Sequence, residues 1–425
     1  MKVMVVGGGG REHAIVWKLL QDESVSRVVC CPGNAGIARL AKCLPVRDGD
    51  GAGLLSVASD ERCDLVIVGP EEPLVKGAAD ELRAAGLTVF GPSERASRLE
   101  GSKVFAKLFM QRHRIPSGAF EVFEEYEKAR AFLTGRQGPV VIKADGLARG
   151  KGVVVCDSGE AGQAALREMM VGGQFGESGA RVVLEERLEG PEVSVMAVCD
   201  GSRHLLLPLS QDHKRALDGD RGPNTGGMGA YCPVPFVGQD LLEEMERVVV
   251  RPALDGMAEE GTPYSGVLYA GIMLTAAGPR VLEFNCRFGD PEAQVVLPSA
   301  DVRLGETLLA AARGELSGAG TAELRCHSAC VVLASGGYPG AYDTGLDITG
   351  LDTLAGERDV LVFHAGTRDE AGRTVTAGGR VLGVTGTGPT LEAALGRAYD
   401  AVRSVDFKGM HYRRDIGARA LRVSG

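Results

Sequence analysis

A segment of ten residues beginning at Glu283 carries the side chains best suited to chemistry, because an acid, an amide and an arginine follow one another at every second position. On a β-strand, alternate residues point to the same face, so Glu283, Asn285 and Arg287 share one side. Carboxylate and amide oxygens suit Mg²⁺, which fills its remaining positions with water and phosphate oxygens. The spacing therefore predicts a metal and phosphate site rather than a surface ion pair. The alternate residues are predicted to face a core: Phe284, Cys286 and Phe288.

The composition is that of a soluble globular chain with room for several domains, since 425 residues are 44% hydrophobic and 24% charged. A net charge of −9 without a basic run argues against a nucleic-acid partner. We find no signal peptide and no apolar stretch of about 20 residues, so we expect no membrane partner and a cytoplasmic location. The ten cysteines are scattered, which favours reduced thiols over a disulfide framework.

Residues 1–100 alternate short apolar runs with helical patterns, which is typical of a parallel sheet with crossover helices. The predicted strands are Val3–Val6, Arg27–Cys31, Leu65–Val68 and Thr88–Phe90, and the predicted helices are Arg11–Gln21 and Leu74–Ala85. Four glycines, from Gly7 to Gly10, open the first helix and favour a bound anion there. Dinucleotide binding is disfavoured, because the third glycine of its motif would fall on Glu12 or His13.

The pattern changes after residue 100. Two predicted strands, Val140–Asp145 and Gly152–Cys156, flank a glycine-rich basic tip that can either close over phosphates or lie exposed. It is not a P-loop, because the tip returns into a strand rather than a helix. Further on, a strand at 181–184 leads into acids, and a long polar loop is predicted over 210–230. A third unit begins near residue 325, with strands 329–334, 361–364 and 380–384 and a helix over 391–404.

Taken together, these segments resemble the phosphoribosylamine–glycine ligases, the glycinamide ribonucleotide synthetases of the ATP-grasp superfamily. The resemblance is carried, over the whole chain, by Gly9–Ala14, Pro32–Gly36, Val68–Glu71, Ile142–Ala148, Ser210–Arg215, Pro223–Tyr231 and Glu283–Glu292. It implies an α/β and α+β multidomain fold. Residues 1–100 would form a parallel α/β domain on the phosphoribosylamine side, 101–320 a two-lobed ATP-grasp, and 325–425 a small C-terminal α/β domain. Residues 120–190 would be a mobile lobe that covers ATP.

The resemblance also implies the reaction. The chain would ligate glycine to 5-phosphoribosylamine through glycyl phosphate in purine biosynthesis, with ATP as co-substrate and Mg²⁺ or Mn²⁺ as cofactor. Its partners would be these small molecules, and it would act as a monomer with transient contacts to neighbouring purine-pathway enzymes.

Site residues are implied by the same resemblance. ATP would contact Lys103, Lys143, Glu185, Glu186, Leu188 and Glu192, and the metal would contact Glu283 and Asn285. The catalytic set is Lys143, Glu283 and Arg287, in which Arg287 orients the glycine carboxylate or stabilises the acyl-phosphate transition state. The phosphoribosylamine pocket would take in Gly9, Gly10, Arg11, Glu12, Asn34, Asp212, Lys214, Pro223, Asn224, Thr225 and Asp290.

The chain departs from the family pattern at three places. Gly8 stands where asparagine is common, Ser265–Leu274 lacks the acid that many ATP-grasp enzymes place before the metal strand, and Arg149 replaces a small residue. Two other functions remain open: a carboxylase of the biotin or aminoimidazole ribonucleotide type, and a nucleotide-binding protein without catalysis.

Overall fold

The first hundred residues form a five-stranded sheet in the order β3-β2-β1-β4-β5, and all of its pairs are parallel. The computed structural model describes residues 1–134, 136, 138–147, 152–172, 176–317 and 320–423. The strands are β1 Lys2–Gly7, β2 Arg27–Pro32, β3 Lys42–Cys43, β4 Leu65–Val68 and β5 Val89–Phe90, and the helices are α1 Gly10–Leu19, α2 Gly51–Asp60, α3 Glu71–Val75, α4 Ala78–Ala84 and α5 Glu94–Gly101. The predicted parallel α/β arrangement is confirmed.

The single helix predicted over Leu74–Ala85 is wrong, because the chain forms two short helices there. Between them, Gly77 has φ +84°, a left-handed conformation that interrupts the helical hydrogen bonds and that glycine adopts at little cost. Helix α3 begins at Glu71, which lines the central cleft.

A separate lobe follows α6 Lys103–Arg112. Its four-stranded antiparallel sheet has the order β6-β9-β7-β8 and is backed by two helices. These elements are β6 Phe120–Phe123, α7 Tyr126–Leu133, β7 Val140–Ala144, β8 Val153–Cys156, α8 Gly159–Met170 and β9 Val182–Glu186. The lobe has its own apolar cluster, including Ile142, Leu166 and Leu184. The predicted hairpin of β7 and β8 is confirmed; Arg149 at its tip lies outside the described residues.

The second lobe is built on a sheet in the order β17-β16-β10-β11-β19, in which β10, β16 and β17 run antiparallel to their neighbours. Its strands and the helices around it are β10 Glu192–Asp200, β11 His204–Leu206, α9 Gln239–Met245, α10 Arg251–Glu259, β16 Ser265–Thr275, β17 Gly278–Asn285, α11 Ala293–Ser299, α12 Leu304–Arg313 and β19 Gly320–Thr321. Short bridges add β18 Ala300–Asp301 paired with β20 Glu323–Leu324.

The predicted polar loop over 210–230 is wrong in part, since much of it pairs into strands: β12 Gln211–Asp212, β13 Arg215–Leu217, β14 Arg221–Asn224 and β15 Gly229–Cys232. Two of these join the C-terminal sheet, whose order is β12-β15-β21-β25-β22. The remaining elements are β21 His327–Ala334, β22 Val360–His364, β23 Thr367–Glu370, β24 Arg373–Thr376, β25 Arg380–Gly388, α13 Leu391–Val402 and α14 Ala418–Val423. The C-terminal sheet thus contains strands from both sides of residue 325.

No helix in the described ranges is long and apolar enough to cross a membrane.

Candidate active site

A cleft of about 1430 Å³ lies where the three parts of the chain meet. Its walls include the following predicted site residues: Arg11, Lys103, Lys143, Glu185, Glu186, Leu188, Glu192, Asp212, Lys214, Asn224, Thr225, Glu283, Asn285, Arg287 and Asp290. These residues are separated by up to 279 positions in the sequence, yet the fold gathers them around one space. Five predicted residues are not walls of this cleft: Gly9, Gly10, Glu12, Asn34 and Pro223.

Strand β17 leads into the ten-residue segment that begins at Glu283. Phe284, Cys286 and Phe288 are 2%, 1% and 3% exposed, so the predicted inward face is confirmed. Glu283 and Asn285 face the cleft from the strand itself, whereas Arg287 lies just beyond its end. Within the described part of the chain, the Asn285 side chain makes no hydrogen bond. The amide oxygen is therefore available to a ligand.

Lysines surround Glu283. Lys214 Nζ lies 3.3 Å from Glu283 Oε1 and also contacts Glu192. The pKa of Glu283 is lowered to about 2, and Lys214 is the largest cause. Lys143 and Lys103 lower it further, so that the three lysines together outweigh burial, which would raise it. The carboxylate is therefore ionised at neutral pH. Positive side chains concentrated around one acid in a cleft favour a polyanionic ligand.

Glu185 connects two of the buried lysines. One carboxylate oxygen contacts Lys107 Nζ, and the other lies 2.7 Å from Lys143 Nζ. Lys143 Nζ also donates to Leu282 O at 2.9 Å, which joins β7 to β17. Burial, together with the charge of Lys143, lowers the pKa of Lys107 to about 8. Lys107 was not predicted as a site residue, because the helical pattern around it does not indicate that it lies near Lys143.

Lys103 is positioned by the junction between α5 and α6. Ser102 caps α6 by accepting from Phe105 N at 3.1 Å, and its hydroxyl donates to Asp145 Oδ1 at 2.9 Å. Lys103 Nζ donates to Gly146 O at 2.8 Å, and burial lowers the pKa of this lysine. Helix α6 and the β7–β8 hairpin are thus joined next to the cleft.

Two arginines meet on the opposite wall. Arg287 Nη2 donates to Glu100 Oε1 at 3.0 Å, and Arg287 Nε lies 3.3 Å from Glu71 Oε2. Arg11 Nε donates to Glu12 Oε1 at 2.6 Å, and Arg11 Nη1 lies 3.8 Å from the same oxygen of Glu71. Sequence reasoning missed both Glu71 and Glu100. The Gly-Pro-Glu motif that ends in Glu71 was the available signal.

The N-terminal glycine turn reaches the cleft through its neighbours. Gly9 N donates to Glu12 Oε2 at 2.7 Å, and a Cβ at Gly9 would lie 3.7 Å from Asp290 Oδ2. Asp290 is held in turn by Gln294 at 2.7 Å and by Arg380 at 3.0 Å. Arg380 comes from the C-terminal sheet and also lines the cleft. Gly10 lies one position further along, against Gln294.

Asn34 and Pro223, which were predicted on the amine side, do not line the cleft. Asn34 uses its amide to bridge Gly8 O at 2.9 Å and His364 O at 2.7 Å, while its side-chain oxygen accepts from the backbone N–H groups of residues 36 and 37. Its side chain therefore joins the N- and C-terminal parts rather than facing the cleft. Pro223 is exposed on β14, next to the cleft-lining Asn224.

A buried acid network lies at the floor of the cleft. Glu292 is 3% exposed and accepts from Tyr269 Oη at 2.8 Å and from Ser194 Oγ at 3.2 Å. Burial and the nearby Glu292 raise the pKa of Asp212 well above its usual range. Glu292 belongs to the segment that begins at Glu283, but its interaction with Asp212 was not predicted, because only the fold brings the two acids together.

Family models match the chain in three consecutive segments. They are described as the N domain of phosphoribosylglycinamide synthetase for residues 1–100, its ATP-grasp (A) domain for 101–293, and its C domain for 328–419. The chain belongs to the phosphoribosylglycinamide synthetase family.

Similar proteins agree with this assignment. A phosphoribosylamine–glycine ligase of Caulobacter vibrioides is 50% identical over 99% of both chains. The human trifunctional purine biosynthetic protein adenosine-3 is 46% identical over 99% of this chain and 42% of its own length. A crystal structure of a phosphoribosylamine–glycine ligase from Thermotoga maritima has a TM-score of 0.86 and 38% identity, and covers 98% of this chain and 100% of that one.

A biotin carboxylase of Campylobacter jejuni shares the fold alone, with a TM-score of 0.74 at 15% identity over 97% of this chain and 92% of that one. The predictions of an ATP-grasp fold, of a carbon–nitrogen ligase and of the overall glycine-ligating reaction of purine biosynthesis are therefore confirmed. The steps of the reaction and the roles of individual residues stay predictions.

Proposed function

We propose that this chain joins glycine to 5-phosphoribosylamine in two steps within the cleft. In the first, a glycine carboxylate oxygen bonds to the γ-phosphorus of ATP, the bond from that phosphorus to the β–γ bridging oxygen breaks, and ADP leaves. In the second, the amine nitrogen bonds to the acyl carbon, the carbon–oxygen bond to phosphate breaks, and the nitrogen loses a proton. The observation that carries the proposal is the convergence of Lys103, Lys143 and Lys214 around Glu283, in a cleft that Arg287 also lines.

Phosphoryl transfer mainly requires positioning and positive charge rather than a covalent nucleophile. Lys103 and Lys143 meet this requirement, because each is fixed by a backbone carbonyl, Gly146 O and Leu282 O respectively. Glu185 orients Lys143 further. Glu186, Leu188 and Glu192 would hold the nucleoside, since they line the same cleft between the two lobes.

A divalent cation fits the chemistry of the strand. Glu283 is ionised and Asn285 offers an amide oxygen without a partner among the described residues, so both present hard oxygen ligands to the cleft. When bound, Mg²⁺ or Mn²⁺ would neutralise phosphate charge and polarise the transferred group. Strand β16 contributes no acid here; Gly271 occupies the position opposite Glu283.

The amine substrate would bind on the N-terminal side, between the glycine turn and the strands of 211–224. Arg11 would contact its phosphate, and Lys214, Asn224, Thr225 and Asp290 would surround the ribose and the amine. Arg287 would bind a carboxylate oxygen of glycine or the acyl phosphate, because a planar guanidinium donates to two oxygens at once.

Product analysis tests the proposal. Purified protein with Mg-ATP and glycine is assayed for ADP with and without phosphoribosylamine generated in the assay. We expect ADP and glycinamide ribonucleotide in equal amounts only when both substrates are present. ADP formed with bicarbonate in place of glycine would instead indicate a carboxylase, and absence of ADP with every acceptor would indicate a binding protein.

A further inference from the structure

We propose that Glu71 couples the amine pocket to the glycine pocket, so that a phosphate-bearing ligand on Arg11 releases Arg287 to bind glycine. The inference rests on the proposed function, because it assigns Arg11 to the amine substrate and Arg287 to glycine. Glu71 is a positioning residue in this account, since it acts through the two arginines.

The two arginines share two acceptors. Glu71 Oε2 lies 3.3 Å from Arg287 Nε and 3.8 Å from Arg11 Nη1. The carbonyl of Phe288 accepts from both guanidinium groups, at 3.2 Å from Arg11 and 3.3 Å from Arg287. A change at one arginine therefore alters what the other can bind.

Arg287 has few donors to spare in this arrangement. Its Nη2 donates to Glu100 and its Nη1 donates to the carbonyl of Phe288, whereas its Nε is buried, lies 3.3 Å from Glu71 and makes no hydrogen bond. A guanidinium has five N–H groups in a fixed plane, so three remain for a substrate, one of them on the buried Nε. A carboxylate that uses Nε in the favourable fork geometry requires that Glu71 withdraw from beside it.

Glu71 is the partner best placed to withdraw. Glu100 is 8% exposed and also accepts from Cys286 N at 2.7 Å, which fixes it, whereas the Glu71 side chain is 28% exposed and lines the cleft. Burial alone would raise the pKa of Glu71, but Arg287 and Arg11 outweigh it and hold that pKa at about 2. Glu71 is thus an anion at neutral pH, kept in place by two cations.

A phosphate on Arg11 changes this balance. It competes with Glu71 for Arg11 Nη1 and places negative charge beside the Glu71 carboxylate, which weakens the hold of Glu71 on Arg287. Arg287 Nε then becomes free for glycine. Glycine would accordingly bind more tightly when the acceptor pocket is filled, and by reciprocity the acceptor would bind more tightly in the presence of glycine.

Equilibrium binding tests the coupling. Ribose 5-phosphate serves as the probe of the amine pocket, and glycine is titrated by calorimetry into protein holding a non-hydrolysable ATP analogue with the divalent metal. In the native chain we expect ribose 5-phosphate to tighten glycine binding by about fivefold or more. In Glu71→Gln, glycine should bind with the same affinity whether or not ribose 5-phosphate is present.

The matched control is Glu72→Gln, at the neighbouring position, where the side chain is 50% exposed and pairs with Lys76 at 2.8 Å. This variant should keep the native coupling. Glu71→Asp, which keeps the charge and retracts it by one methylene, replaces Glu71→Gln if the latter does not fold.

Three results would overturn the inference: no effect of ribose 5-phosphate on the native chain, native coupling in the Glu71 variants, or loss of coupling in Glu72→Gln as well. A weakening of both ligands with the coupling retained would show a merely structural Glu71. The proposed function fails separately, in the product assay, if the native chain forms no glycinamide ribonucleotide.

Discussion

Glu283 combines two properties that a metal ligand in a nucleotide cleft needs. It is ionised, because Lys214 and then Lys143 and Lys103 keep its pKa at about 2, and it faces the cleft from a strand whose other face is buried. In the proposed function, the same lysines would bind phosphates. One carboxylate would then organise both the cation and the cationic side chains around the transferred phosphoryl group.

Substitution of Glu283 by glutamine removes the charge and keeps the shape. We expect Glu283→Gln to lower glycine-dependent ADP formation by at least about 100-fold, the effect of losing a few kcal/mol of transition-state stabilisation. The assay is repeated over a series of Mg²⁺ concentrations, with Glu259→Gln, which is 73% exposed, as the control. Normal activity with an unchanged Mg²⁺ dependence would remove Glu283 from the metal site.

Arg11 offers a test on the amine side. We expect Arg11→Ala to raise the KM for phosphoribosylamine by about tenfold or more and to leave the KM for ATP nearly unchanged, because a charge-assisted contact to phosphate is lost from one substrate only. Arg27→Ala, at an exposed position of β2, is the control. Equal increases in both constants would contradict the assignment.

The glycine turn between β1 and α1 is constrained by its neighbour strand. A Cβ at Gly8 would overlap Gly33 O, so the turn and the start of the segment after β2 are packed backbone to backbone. Any side chain at this position, asparagine included, would require the two segments to lie further apart.

Because the two backbones lie so close together, any side chain at position 8 should lower the stability of the fold. Gly8→Ala should destabilise the fold by roughly 1–3 kcal/mol and raise the KM for phosphoribosylamine, since the turn must move to relieve the overlap. Gly49→Ala, where a Cβ meets nothing within 4 Å, should change neither. Urea unfolding and steady-state kinetics on both variants decide the matter.

The strands were the most predictable elements, because runs such as Val3–Val6 and Leu65–Val68 are apolar on both faces, as a covered parallel sheet requires. The break at Gly77 was not predicted, since a glycine inside a helical pattern does not reveal its φ angle. The strands within 210–232 were missed for another reason. Strand β15 pairs with β21, far along the chain, and local patterns carry no information about such a pairing; β12 pairs with β15, and β13 with β14, within the segment itself.

The site residues also divide into those that a local sequence pattern predicts and those that only the fold brings to the cleft. Glu283, Asn285 and Arg287 were found because they stand at alternate positions in the sequence, although only the first two lie on β17 and the predicted strand position of Arg287 is wrong. Glu71, Lys107 and Arg380 were not, because each reaches the cleft from a different element and is recognised only by its partner in space. Buried ion pairs that join distant elements leave no mark on sequence periodicity.

The N- and C-terminal parts are joined through a buried polar interface. His13 Nδ1 accepts from His364 N at 2.8 Å, and the two rings lie 5.7 Å apart. Asn34 adds the bridge between Gly8 and His364. Burial and the adjacent His364 lower the pKa of His13 to about 3, and burial and Arg39 lower that of His364 to about 4. Both rings are neutral at pH 7.

Acid should therefore open this interface. The unfolded chain binds protons at these histidines near pH 6.5 and the folded chain only near pH 3 to 4, so their contribution to stability is complete above about pH 6.5 and is lost as the pH falls toward 4. Down to pH 4.5 the loss is at most roughly 3 kcal/mol for each histidine. Urea unfolding between pH 7 and 4.5 measures it, and His13→Gln should show a shallower decline than the native chain. An equal slope in both would contradict the assignment.

The pairing of β15 with β21 has a consequence for protein synthesis. Strand β15 follows closely on Asn224 and Thr225 and pairs on one side with β12, but it obtains its second partner, β21, only when residues 327–334 have been made. A ribosome that stops early leaves this strand edge open, with the neighbouring loop unsupported. Synthesis past β21 thus becomes a condition for a complete cleft, so chains truncated before this strand should not bind substrate and should be recognised by proteases as unfinished products.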